Sequence, residues 1–230
     1  MKKLYKKGGR FENNMDFLEM IKQLYSVEKV KGYAEHEINF VKELFGTLPQ
    51  IIEDFWRIAG CTEELHYGQD HWITPDNFRK SSWLRDSDYL ILLNENQGVC
   101  QAGIHKSDLE KTNPPVYVST VDGKNWTLCA KTASEFLQAA LAYQAVFTFE
   151  YNPEAFFWLT QEEVQIVQSR LEKKPFELHG WIDIDLSFYS NAPDNMVVIM
   201  DCEDVQVLYG AASEKGYQKL MEVMEGLGEA

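Results

Sequence analysis

YLILLNENQGVCQAGI, residues 89–104, decides the class of fold. The apolar run 89–93 suits a buried strand, 94–98 is a polar turn ending in glycine, and 99–104 continues extended. Upstream the pattern is helical. Phe17, Leu18, Ile21, Leu24 and Tyr25 recur at helical spacing within 15–30, and Lys31-Gly32 interrupts them. A second helix spans 34–45, with Ile38, Val41, Leu44 and Phe45 on one face and Gly46 as its stop. Pro49 suits the first turn of a third, apolar helix ended by Gly60, because no amide donor is needed there. Downstream, 116–118 and 126–130 flank a turn containing Asp122-Gly123, a hairpin signal. Thr132 with Glu135 forms a capping box opening a helix over 133–146.

A second block follows Phe149. Asn152-Pro153 starts a short helix, and Thr160 with Glu163 caps another that Pro175 ends. Residues 181–188 alternate as a single half-buried strand, with Ile182, Ile184, Leu186 and Phe188 on one side and Asp183, Asp185 and Ser187 on the other. Strands at 196–200 and 205–209 lead to a last helix capped by Ser213. This order predicts an α+β fold: a mixed, mainly antiparallel sheet flanked by helices, with a C-terminal strand-and-helix extension. The expected organisation is a basic tail over 1–14, a core over 15–149, and an extension over 150–230 packed on that core.

The chain has 230 residues, is 45% hydrophobic and 25% charged, and carries a net charge of −14. That usage predicts a packed core. The acidic balance argues against nucleic acid, whose binding rests on Lys and Arg, and favours a basic partner. Cys61, Cys100, Cys129 and Cys202 show no C-x-x-C spacing and read as reduced thiols. The basic N-terminus lacks an apolar segment behind it, and the most apolar stretch, 139–147, is broken by Gln144. A cytoplasmic chain with no membrane partner is the expectation.

Catalytic spacings fail one by one. Gly98-x-x-x-x-Gly103 is followed by Ile104-His105 instead of the lysine a phosphate loop needs. His36-Glu37 opens a zinc-protease string, but Phe40 stands where the second histidine belongs. Cys100 and His105 are separated by roughly 16 Å of extended chain and point to opposite faces. Cys129, beside Trp126 and Leu128, reads as a small core residue. Asp183, Asp185, Asp201, Glu203 and Asp204 form the one carboxylate cluster that could hold Mg²⁺ or Ca²⁺ for hydrolysis, against a solvated strand face and an acidic hairpin tip. The expectation is a chain without catalytic residues, metal or cofactor, with that hydrolase as the alternative.

AEHEINFVKELFG followed by Leu48-Pro49, then LLNENQGVCQAGI, Asn113-Pro114-Pro115-Val116, Trp126 and Phe136-Leu137, taken in this order over residues 34–147, resemble the SUKH superfamily of bacterial immunity proteins and fungal cell-wall-synthesis regulators. AEHEINFVKELFG runs into Leu48-Pro49 and an apolar helix ending at Gly60. LLNENQGVCQAGI is similar to the family's strand–turn–strand, and Asp108-Leu109 followed by Asn113-Pro114-Pro115-Val116 to its Asp…Pro-Pro-Val segment. Trp126 and the helix bearing Phe136-Leu137 complete the order. The resemblance implies a sheet flanked by helices and a role as an immunity protein against a secreted toxin, or as a regulatory scaffold without one.

The partner surface is expected in two places. Residues 61–88 read as a long polar connection in which Trp72 and Trp83 are the tryptophans expected to be partly exposed, accompanied by Asp70 and Asp86. The turn Glu95-Asn96-Gln97 is a second contact, since loops carried by a rigid sheet often bind. The competing reading fastens the tryptophans to the core and leaves the charges to solubility.

Overall fold

A computed structural model describes residues 12–120, 124–153, 157–202 and 204–228. Its helices are α1 (Glu12–Leu24), α2 (Glu35–Phe45), α3 (Gln50–Ile58), α4 (Pro75–Lys80), α5 (Ser82–Asp86), α6 (Ala133–Val146), α7 (Gln161–Arg170) and α8 (Glu214–Met224). Its strands are β1 (His71–Trp72), β2 (Tyr89–Asn94), β3 (Cys100–His105), β4 (Val116–Thr120), β5 (Trp126–Ala130), β6 (Phe157–Leu159), β7 (Glu172–Trp181), β8 (Ile184–Ser190), β9 (Asn195–Asp201) and β10 (Val205–Ala211). The class is α+β. The strands form two five-stranded sheets, ordered β1-β2-β3-β4-β5 and β6-β10-β9-β8-β7, the strands of the expected C-terminal extension making a sheet of their own. All of their pairings are antiparallel, so the sheets are not mixed. The tight connections β2–β3, β7–β8, β8–β9 and β9–β10 allow only that arrangement, because a parallel neighbour needs a long crossover.

α6 holds the two sheets together. Thr132 caps it, its hydroxyl accepting from the Glu135 amide at 3.2 Å, and Asn113 accepts from the Ser134 amide at 2.8 Å. Ala139, Ala140, Leu141, Ala142 and Ala145 are wholly buried, as befits a helix that is apolar on every side. It packs against α1, α3, β5, β7, β9 and β10. One continuous core takes in the helices α1 to α3, the first sheet, α6, and the inner face of the second sheet with Leu178, Trp181, Phe188, Met196 and Val198. The opposite face of that sheet, with Tyr189, Val197, Ile199 and Val207, is covered by Val164 and Val167 of α7 and Leu220 of α8. Burial on both faces explains the unbroken apolar run of β9.

Several elements differ from expectation. α1 begins at Glu12, inside the stretch read as a tail, and ends at Leu24 before Ser26 at φ 52. The connection 61–88 holds β1, α4 and α5. Pro175 does not stop α7, which ends at Arg170; it sits in β7, an edge strand where a missing amide donor is tolerated. The run 181–188 is a hairpin corner, with Trp181 paired to Ile184 across a two-residue loop. Ile182 and Asp183 take φ of 52 and 62, as a type I′ turn requires. Asp122-Gly123 lies outside the described residues, as does the chain immediately after Pro153 where a short helix was expected.

Candidate functional site

The β2–β3 hairpin is built on Glu95. Its carboxylate accepts from the amides of Gln97 at 2.8 Å and Val99 at 3.0 Å, and its carbonyl accepts from Gly98 at 3.0 Å. Gly98, at φ 74, supplies the left-handed residue that closes the turn. Gly103 has a different reason: a Cβ there would stand 2.9 Å from the Leu90 carbonyl of the neighbouring strand.

α5 sits beside this hairpin. Leu84 is buried, and Arg85 donates to the carbonyls of Phe78 and Arg79 at 2.9 and 3.0 Å, fixing α5 to the end of α4. Trp83 is thereby held outward, 49% exposed, with Asp86 one turn away and also exposed.

Between them is an open pocket of about 260 Å³ lined by Trp83, Asn94, Gly98, Cys100 and Gln101. Asn94 and Gln101 are directly opposed across β2 and β3, so their side chains share one face. Asn94 Oδ1 and Gln101 Oε1 are both buried with no hydrogen-bond partner among the described residues. Val99, at the rim, is 45% exposed. The Cys100 thiol, which accepts from the Ile182 amide at 3.4 Å, is pushed up to about 12 by burial and by the charges of Asp70, Glu95 and Asp183. Such a thiol stays protonated at neutral pH and is no nucleophile.

Two larger hollows are less telling. One of about 400 Å³ contains Lys173 and Lys174, already paired with Glu177 and Glu172. One of about 770 Å³ lies beside Trp158 and Glu163, whose carboxylate is taken up by the Thr160 cap and the Gly228 amide.

The expected partner residues divide. Trp83, Asp86, Asn96 and Gln97 are exposed. Trp72, Asp70 and Glu95 are buried, which corrects their assignment to an accessible patch. Trp72 packs on Phe55 with ring centroids 5.5 Å apart. Asp70, 2% exposed, accepts from the Gln144 amide at 2.9 Å and from the Asn96 backbone at 3.2 Å, while its own amide donates to Gln144 Oε1 at 2.8 Å. Burial raises its pKa to about 6, against the opposing effect of these bonds. The Trp181 indole N–H faces the carboxyl without hydrogen-bond geometry.

The late carboxylates are dispersed. Asp183 is in the turn, not on a strand face with Asp185. Asp185 faces Asp201 across β8 and β9 and accepts from the Gly180 amide at 2.9 Å, with His179 Nδ1 at 3.0 Å. Burial works to raise the Asp185 pKa, but these two bonds outweigh it and leave it lowered. His179, which also approaches Glu177, was missed in the sequence because the hairpin that brings it to Asp185 was read as one strand. Asp204 offers its carbonyl to the Cys202 thiol, and Glu203 lies outside the described residues. Among the described residues no group of three or more His, Cys, Asp or Glu side chains is placed to hold a metal ion. His105 pairs with the Ser107 hydroxyl at 2.8 Å and lies edge-on to Tyr89, on the face of β3 opposite Cys100.

Asn94 and Gln101 are the residues sequence reasoning passed over. The hairpin itself was the signal, since its register opposes them just outside the turn. Among the described residues, no helix is long and apolar enough to cross a membrane. No family model matches the chain. No curated protein and no solved structure matches it either.

Proposed function

We propose that this chain is a non-enzymatic protein-binding module, an immunity protein of the SUKH type that neutralises a basic toxin by covering it. One observation carries the reading: a rigidly mounted, half-exposed Trp83 beside a pocket with two unpartnered acceptor oxygens. Tryptophan is enriched among interface anchors, and with two side-chain torsions it loses little entropy on binding. Unpartnered buried oxygens cost stability in the free chain, and a partner's donors would remove that cost. The net charge of −14 supports steering of a basic partner, and the resemblance over residues 34–147 supports the toxin–immunity setting. A cytoplasmic location, where four free thiols stay reduced, belongs to the same reading.

The test begins with the genes beside this one: a neighbour encoding a secreted toxin supplies the partner for co-expression, and the absence of such a neighbour counts against the reading. The parent chain should protect cells and co-purify with the toxin, and Trp83→Ala should lose both at unchanged expression. Absence of protection and of a complex would overturn the reading.

A further inference from the structure

The pocket at Trp83 has a composition that selects one kind of side chain. Asn94 Oδ1 and Gln101 Oε1 project from adjacent antiparallel strands, where directly opposed residues stand about 5 Å apart. Both are acceptors, and neither has a hydrogen-bond partner among the described residues. The Trp83 ring forms a wall of the same pocket, and an indole face attracts cations most strongly among the aromatics. Asp86 stands exposed one turn from Trp83, Glu95 organises the adjoining turn, and the chain carries −14 overall. The surroundings are therefore negative, and the hollow of about 260 Å³ is that of a side chain more than of a metabolite. A guanidinium matches each feature: it is permanently charged, stacks flat on aromatic rings, and offers five N–H donors in a fixed plane. A lysine ammonium is compact and strongly hydrated, and would leave the tryptophan face largely unused.

We propose that this pocket receives an arginine side chain of the partner protein, stacked on Trp83 and donating to Asn94 Oδ1 and Gln101 Oε1 as their amide groups turn outward to meet it. The proposal rests on the protein-binding reading above and names the anchor that the partner inserts.

The probe is N-acetyl-arginine methylamide, titrated into the isotopically labelled full chain while the Trp83 indole and the Asn94 and Gln101 side-chain amides are followed by NMR. These signals should shift saturably, and the neutral citrulline analogue should bind roughly tenfold more weakly, having lost the charge. Gln101→Glu should tighten the arginine analogue roughly three- to fivefold, the gain of one partly exposed ion pair. Gln101→Lys should abolish binding. The opposite signs of the two substitutions cannot arise from misfolding, which the remaining signals report directly. No saturable shift, equal binding of citrulline, or preference for the N-acetyl-glutamate analogue would each overturn the proposal. With the toxin complex in hand, loss by Trp83→Ala but retention by Gln101→Lys would overturn the arginine pocket alone. Retention by both variants would overturn the binding surface itself.

Discussion

Asp70 is a carboxylate the fold could have left outside and instead encloses, with Gln144 both donating to it and accepting from it. Its bonds join the approach to β1, the β2–β3 turn and α6, so one residue ties three separate stretches of chain. Enclosure has a consequence in pH. The folded-state pKa of about 6 lies above the ordinary aspartate value of 3.8, so the folded state holds this proton more tightly than the unfolded chain. Its contribution to stability is full below pH 3.8 and is lost as pH rises through about 6. Two pKa units correspond to about 3 kcal/mol. Asp70→Asn removes that titration. The stability difference between parent and variant, measured by urea unfolding, should therefore shift against the parent between pH 4 and 7, by on the order of 3 kcal/mol. Parallel curves for the two proteins would refute the account. The sequence contained the clue in Gln144, which interrupts an otherwise apolar stretch and is wholly buried, but nothing local connects it to an aspartate 74 residues away.

At the scale of elements, legibility followed how local the determining signal is. α6 was readable to its ends, because the Thr132 cap and the unbroken apolar content are both local. α7 and α8 were readable at their starts from Thr160 and Ser213. The β7–β8 corner was not, because Ile182 is a β-branched residue in a left-handed conformation that sequence rules assign to glycine or asparagine. Packing against the core, and a hydrogen bond donated by its amide to the Cys100 thiol, hold it there. Asp183, the second turn residue, donates its amide to the Gly180 carbonyl at 3.2 Å, a bond glycine would keep, while its φ of 62 is one glycine adopts freely. Asp183→Gly should therefore stabilise the protein by about 0.5–1 kcal/mol, measured by urea unfolding, since glycine is favoured at that position of a type I′ turn. Loss of stability would show that the aspartate side chain has a structural role. α6 should behave in the opposite way. Ala140 has zero exposure, so Ala140→Leu should destabilise by about 2 kcal/mol through overpacking, and a thermal melt unchanged within a degree would contradict the central position of the helix.

For the whole molecule, the decisive fact is that the two sheets share one core without sharing a strand. The inner face of the second sheet, with Leu178, Trp181, Leu186, Phe188, Met196 and Val198, belongs to the same apolar cluster as the first sheet and α6. Separated from α6, that face would meet water, and each large side chain would forfeit roughly 1.5–3 kcal/mol of burial. Losses of that size across six residues match or exceed the whole stability of an ordinary domain. Neither sheet therefore has a stable folded state without the other, although each is complete in its own hydrogen bonding. The buried Asp70–Gln144 pair lies at this junction, with Trp181 of the second sheet facing it. Unfolding should accordingly be a single transition. In urea, amide exchange read separately in β3 of the first sheet and β9 of the second should give one midpoint, and a chain cut after residue 149 should lack protected amides in β2 to β4. Two midpoints, or a truncated chain with native-like protection, would show that the sheets are independent folding units and that α6 merely adjoins them.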